Sequence, residues 1–159
     1  MDIKFEPIDV DVNFSRCLAF RRDAHFCSFN TYVGYEASIN GYETQMRQRI
    51  NESNWHYIHM LCGNEIIGQL EFRSFSDLPE MGYVHLVYIV PKYRGLGIAG
   101  LAQSFIIQTL ISNGCKSAML LVSRTNKRAI NHYKRFGWEY VKPNAKDDIT
   151  DFYKCQFCL

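Results

Sequence analysis

Val84-His85-Leu86-Val87-Tyr88-Ile89-Val90-Pro91-Lys92-Tyr93-Arg94-Gly95-Leu96-Gly97-Ile98-Ala99-Gly100 is the stretch from which the rest of this 159-residue chain can be read. Its first seven residues are rich in β-branched and aromatic side chains and stop at a proline, which predicts a buried strand. Beyond the glycines, Ile98, Leu101, Ala102, Phe105 and Ile106 recur at three- and four-residue spacing and so share one face of a helix. The glycines therefore occupy a strand-to-helix turn. The first amides of a helix have no partner inside it, and the positive end of its dipole lies there. Glycine has no Cβ to hold a ligand away from the backbone. Such a turn suits an anion, most often a phosphate, and Arg94 adds a cationic fork at its mouth.

Two phosphate loops share these letters. Gly95-Leu96-Gly97-Ile98-Ala99-Gly100 satisfies G-x-G-x-x-G, the dinucleotide fingerprint. That reading needs an acidic residue about 20 positions on, at the end of the next strand. Lys116-Ser117-Ala118-Met119-Leu120-Leu121-Val122 has none, and the turn falls past the middle of the chain rather than after a first strand. The second reading begins one residue earlier: Arg94-Gly95-Leu96-Gly97-Ile98-Ala99 fits Q/R-x-x-G-x-G/A. This loop resembles the pyrophosphate loop of the GNAT superfamily of N-acetyltransferases. A second block, Asn126-Lys127-Arg128-Ala129-Ile130-Asn131-His132-Tyr133-Lys134-Arg135-Phe136-Gly137-Trp138, is similar to that family's N-x-x-A-x-x-x-Y-x-x-x-G-F segment, with Trp138 at the usual phenylalanine. The blocks follow in the family's order, a helix and a strand apart.

The resemblance implies an acetyl-coenzyme A-dependent N-acetyltransferase passing its acetyl group directly to a primary amine of a small molecule or peptide. It implies cofactor contacts from Arg94, Gly95, Leu96, Gly97, Ile98, Ala99 and Gly100 at the pyrophosphate, from the backbone of Val87, Tyr88 and Ile89 along the pantetheine arm, and from Asn126. Asn126 is equally a plain helix N-cap. Tyr133 is implied as general acid to the leaving thiolate; taken alone it is a core tyrosine sharing a face with Ala129 and Ile130. His85, expected on the same strand face as Val87 and Ile89, is the candidate base because histidine titrates near neutrality. Glu71, Glu80, Tyr83 and ordered water compete for that role. Cys17, Cys27 and Cys62 leave a covalent acyl carrier open. A non-catalytic CoA-binding or sensing domain is the alternative.

Outward from this centre, Ile3–Ile8 alternates as a first strand, and Asn13 or Ser15 is expected to cap a helix running to about Phe29. Asn30 to Gly41 reads as loop and Tyr42 to Asn51 as a second helix. Trp55–Cys62 and Glu65–Phe72 read as a hairpin about Gly63-Asn64. Lys116–Val122 is a strand, and Asn126–Phe136 a helix closed by Gly137. Trp138–Val141 and Asp151–Phe157 are the last strands. This order implies one α/β (α+β) domain over residues 1–159: a mixed, largely antiparallel sheet of about seven strands, helices on both faces. The resemblance adds that the central strands splay apart.

Composition narrows the class. The chain is 47% hydrophobic and 14% aromatic, hence globular. No apolar run approaches a membrane span and the start is no signal peptide, so a cytoplasmic protein without a membrane partner is expected. The six cysteines are read as reduced core residues, and Cys155-Gln156-Phe157-Cys158 lacks a second pair to complete a metal site. The net charge of +2 hides a division. Met81 to Trp138 holds eight basic residues and no acid, whereas residues 1–80 hold seven basic and twelve acidic. The basic part suits a polyanionic cofactor and the acidic part an amine steered from the other side. The basic residues scatter over several elements, which speaks against a nucleic-acid face. An aromatic acceptor pocket is expected between the front helices and the hairpin, from His25, Phe26, Phe29, Tyr32 and Tyr35. A homodimer is compatible with the family likeness.

Overall fold

The computed structural model describes residues 1–159. Strand β1 (Ile3–Pro7) leads into α1 (Val10–Phe29), the short α2 (Tyr35–Ser38) and α3 (Tyr42–Arg49). Then come β2 (Trp55–Cys62), β3 (Glu65–Arg73), β4 (Met81–Ile89), α4 (Ile98–Ser112), β5 (Ser117–Ser123), α5 (Lys127–Arg135), β6 (Trp138–Pro143) and β7 (Thr150–Gln156). All seven strands join one sheet in the order β1-β2-β3-β4-β5-β7-β6. Every pairing is antiparallel except β4 with β5. The mixed, largely antiparallel sheet expected from the pattern is present. No helix is long and apolar enough to cross a membrane.

The two faces bury separate clusters. Ile98, Ala102, Ile106 and Leu110 of α4 pack with Leu70, Phe72 and Val84 of the sheet and with Ile130 and Trp138. On the other face, Phe20 of α1 packs on Leu86 and Tyr88, while Cys17, Tyr42, Met46 and Tyr57 tie α1 and α3 to β2. The α4 stripe mixes threes and fours as expected, with Phe105 packed against the same cluster. Leu101, expected on it, is 46% exposed, and Gln103 is buried instead, accepting from Trp138 Nε1 at 3.1 Å.

Boundaries moved where side-chain caps, not periodicity, decide them. Helix α1 starts at Asp9, whose carboxylate accepts from the Val12 amide at 3.3 Å, a turn before the expected Asn13 or Ser15. Tyr35 turns part of the expected loop into α2, because its buried ring needs an anchor and its hydroxyl donates to the Leu18 carbonyl at 3.1 Å. All six cysteines are free thiols, but Cys27 and Cys158 are exposed rather than in the core.

Gly82 sits where β4 meets α4. A Cβ there would lie 2.8 Å from Leu110 Cδ2 and 2.9 Å from the Arg73 carbonyl oxygen. The carbonyl belongs to the paired strand and cannot yield. We expect Gly82→Ala to cost about 1–3 kcal/mol, in the range of core overpacking, read as a lowered urea midpoint; an unchanged midpoint would show that the sheet relaxes there freely.

Candidate active site

The turn between β4 and α4 is built as its letters suggest. Gly95 and Gly97 adopt positive φ (78° and 83°), Gly97 being the N-cap of α4. Added Cβ atoms at either would meet nothing within 4 Å, so the two glycines serve backbone conformation and leave the turn open. The amides of Gly95, Leu96, Gly97, Ile98 and Ala99 donate to no acceptor in the protein. Five successive free N–H groups at a helix start form an anion cradle. Gly100 does a different job. Its Cβ would lie 3.2 Å from the Phe136 ring, so it lets α4 and the end of α5 approach.

Arg94 braces this turn. Its Nε donates to the Ile89 carbonyl at 2.8 Å and its Nη2 to Asp23 at 3.1 Å, leaving Nη1 without a protein partner. Asp23 also accepts from the Tyr88 hydroxyl at 2.5 Å, so one α1 carboxylate ties the loop to the end of β4.

The central strands part beside the cradle. Strands β4 and β5 pair only from Met81↔Ser117 to Val84↔Leu120. From His85 on, β4 has a neighbour only on its β3 side, while β5 continues against β7. The backbone of Val87, Tyr88 and Ile89 therefore presents an edge toward the gap. Their side chains are already placed: Val87 and Ile89 in the α4 cluster, Tyr88 on α1. Helix α5 begins at the far side of the gap, where Asn126 Oδ1 caps it through the Ala129 amide at 3.2 Å. The N-cap reading of Asn126 is thus realised. Tyr133, two turns on, packs its ring edge-on to Trp138, centroids 5.7 Å apart. Its hydroxyl makes no hydrogen bond within the protein, and burial pushes its pKa up to about 12.

His85 is displaced from its expected position by a β-bulge. Glu71 faces Leu86 while the next residue, Phe72, faces Val84, so His85 is extra on β4. A strand alternates faces only while its ladder is unbroken. The bulge takes His85 off the Val87 and Ile89 face and into a cleft of about 240 Å³ under α1 and α3, beside Glu71, Tyr42, Trp55 and Tyr57. Its ring stacks on Trp55 at 5.5 Å and lies 4.8 Å from Tyr83. Arg73 Nε donates to its Nε2 at 3.1 Å, which puts the ring proton on Nδ1. His85 keeps an exposed edge, and partial desolvation by these rings and then the Arg73 charge hold its pKa below the ordinary imidazole value. His85 is neutral at physiological pH, with its lone pair engaged.

Glu71, a rival for the base, is the hub of the cleft wall. It accepts from Arg21 Nη2 at 2.5 Å, the Tyr42 hydroxyl at 2.6 Å and Gln69 Nε2 at 2.7 Å, with only 2% of its surface exposed. Gln69 in turn reaches His59 at 2.8 Å. Burial, then Glu71, holds the Tyr42 hydroxyl far above its ordinary pKa. Glu80 lies elsewhere, exposed and paired with Lys116 at 3.3 Å. Burial raises the Tyr83 hydroxyl. Of the candidate acyl carriers, Cys17 is fully buried, and burial together with Glu71 pushes its thiol up to about 12, too high for a nucleophile.

The aromatic residues expected in the acceptor pocket do not line this cleft. His25 packs on Phe29 and Tyr35, and Phe26 on Tyr32, near the C-terminal end of α1. The walls come instead from Arg21, Tyr42, Arg49, Trp55, Tyr57 and Glu71, between the front helices and the hairpin as expected, but from other positions. Sequence reasoning passed over Arg21 and Arg49 because a helical arginine ordinarily faces water. The available signal was Glu71, an acid between Leu70 and Phe72 in the buried part of β3, which needs a cationic partner.

The fold and the family likeness are shared with known proteins. A family model described as "Acetyltransferase (GNAT) family" matches residues 19–138. Thialysine N-epsilon-acetyltransferase of Mus musculus is 34% identical over 55 residues, 35% of this chain and 32% of that protein. Mycothiol acetyltransferase of Corynebacterium aurimucosum is 29% identical over 76 residues, 46% of this chain and 25% of that protein. The chain thus spans a third or less of the curated relatives that it matches. In fold it is similar to PaiA N-acetyltransferase of Thermoplasma acidophilum in complex with coenzyme A, with a TM-score of 0.83 at 13% identity, covering 99% of this chain and 100% of the other. Spermidine N-acetyltransferase of Vibrio cholerae, in complex with CoA and spermine, superposes with a TM-score of 0.74 at 11% identity, covering 97% and 95%.

Proposed function

Because the chain belongs to the GNAT acetyltransferase family, we propose that it transfers an acetyl group from acetyl-coenzyme A directly to a primary amine. The observation that carries this reading is the run of five unpartnered amides opening α4 beside a β4 edge that β5 has left. The cradle fits a pyrophosphate, since the Cβ positions of Gly95 and Gly97 are open. The bare β4 edge fits an extended amide-bearing arm, which it can bond as it would another strand.

Bound acetyl-coenzyme A supplies the activated acetyl group as a thioester. The chain's own residues do the rest. Arg94, braced by Asp23, holds the turn in shape and points Nη1 outward. An amide on the β4 edge donates to the acetyl carbonyl oxygen as negative charge gathers there. The amine nitrogen forms the new bond to the carbonyl carbon, and the carbon–sulfur bond breaks. Tyr133 would hydrogen-bond to the departing sulfur, and the proton that the acylated nitrogen gives up would pass to that sulfur, leaving a free thiol, an amide and Tyr133 as it began.

The amine must first lose a proton, since an alkylammonium ion has a pKa of about 10. His85 is poorly placed to take it, its lone pair engaged by Arg73 and its pKa held below the ordinary value. Both Glu71 oxygens are held as well. Instead, the uncompensated charge of Arg49 in the cleft and of Arg73 behind His85 lowers the ammonium pKa, and water carries the proton away.

Melting curves with acetyl-CoA, CoA or NADH test the binding half. At ~100 times its dissociation constant a ligand adds roughly 2.7 kcal/mol, several degrees for a chain of this size. We expect stabilisation by both CoA compounds, weakened in Arg94→Glu, together with thiol release when a suitable amine is added. Stabilisation by NADH alone would overturn the assignment. Binding of CoA with no thiol release for any amine would leave a sensing domain.

A further inference from the structure

The cleft beneath α1 and α3 has a charge that the proposed reaction does not require. Arg21 from α1 and Arg49 from the last turn of α3 line it, Arg73 from the end of β3 stands behind its His85, and only Glu71 among its lining residues is acidic. Arg21 takes that carboxylate. Arg49 and Arg73 have no carboxylate partner at all. The Arg49 guanidinium lies over the Trp55 ring at 4.0 Å, held by cation–π contact on one face, and reaches the Tyr57 hydroxyl beside it, with no carboxylate to neutralise it. Arg73 is sandwiched among Trp55, Phe75 and Tyr83 and donates to His85. Arg21 Nε is buried and bonds to nothing, the one such side-chain atom in the protein. Of the three guanidinium groups in and beside the cleft, only that of Arg21 meets a carboxylate.

A guanidinium held flat on an aromatic ring keeps its in-plane donors for a planar anion. We infer that the acceptor is a small primary amine that also carries an anionic group, a carboxylate or a phosphate, bound by Arg49 with Arg73 beside it. The volume, about 240 Å³, falls below the ~300 Å³ at which pockets for drug-sized ligands begin, so the acceptor is of amino-acid size. A polyamine would set several positive charges against three arginines and is excluded from the cleft. The same arginines that hold the anion favour the neutral amine, so one feature serves recognition and activation. This inference rests on the amine-acetylating reading.

The test pairs acceptors that differ only in the anion: the standard L-amino acids and β-alanine against their amides, and O-phosphoethanolamine against ethanolamine, with spermidine alongside. Acetyl-CoA turnover is followed by thiol release, and calorimetry with CoA-loaded protein measures binding independently. At least one anionic amine should exceed its uncharged counterpart in kcat/KM by about tenfold to a hundredfold, the worth of one charged hydrogen bond. Arg49→Gln should abolish that preference through KM while leaving the CoA-induced melting shift in place. The carboxylate and phosphate arms identify which anion is read. Amides, ethanolamine or spermidine used as well as the anionic partners, an unaltered preference in Arg49→Gln, or no anionic amine bound or turned over would overturn the inference. Anion-selective binding without thiol release would uphold it and sink the catalytic reading instead.

Discussion

Tyr133→Phe lowers single-turnover acetyl transfer by about a hundredfold while leaving acetyl-CoA binding and the melting temperature close to those of the parent. Three observations set this expectation. The Tyr133 ring packs on Trp138 and the main cluster, and phenylalanine keeps those contacts. The hydroxyl bonds to nothing in the protein, so its loss leaves no partner stranded. Burial raises its pKa to about 12, so the hydrogen is present at every working pH. The size of the effect follows from the leaving group. A thiol of pKa about 8.5 is a weaker base than this phenolate, so Tyr133 acts chiefly by hydrogen bonding to sulfur as charge develops. That places the loss at the lower end of the 10²–10⁴ range for general acids. Single-turnover rates are needed because slow product release can hide a chemical defect. Rates within twofold of the parent would remove Tyr133 from the reaction.

The second large effect is on stability. Glu71→Ala is expected to cost about 3–5 kcal/mol, the penalty for stranding one member of a buried ion pair, and to lower the melting temperature by on the order of 10 °C. The carboxylate holds Arg21, Tyr42 and Gln69 at once, joining α1, α3 and β3 under the cleft. Without it Arg21 keeps a largely enclosed charge, only 27% of its side chain being exposed, and two further donors lose their acceptor. Replacing the pair together, as Arg21→Met with Glu71→Leu, should recover most of the loss, because no charge is then left alone. A Glu71→Ala melting point within about 2 °C of the parent would show that the network adds little to folding.

These two residues separate what is legible in a linear chain from what is not. Tyr133 could be singled out because its neighbours in sequence form a motif, and a helix keeps such neighbours together. Glu71 was visible as an oddity, but its three partners lie 2, 29 and 50 positions away. The strand running into Pro91, the glycine turn, the helix after it and the Gly63-Asn64 hairpin were read at their true places, since steric and hydrogen-bonding preferences over a few residues decide them. The α1 start was misplaced because Asp9 precedes any clear apolar period.

By itself, then, the amino-acid sequence determined the order of the elements, the glycine turn with its free amides and the family resemblance, all consequences of short-range backbone chemistry. Only the tertiary structure decided how the cleft is charged. Residues 1–80 are net acidic and suggested a site attractive to a cation, yet ten of their twelve acids lie exposed on the outside. Arg21 and Arg49, far apart in sequence, turn inward to one place, and Arg73 reaches it through His85. The bulge in β4, a single extra residue against β3, moved His85 from the expected face into that cleft. Charge sums and strand alternation are properties of the chain; which side of a sheet a group faces, and beside which others, depends on register and packing between distant segments.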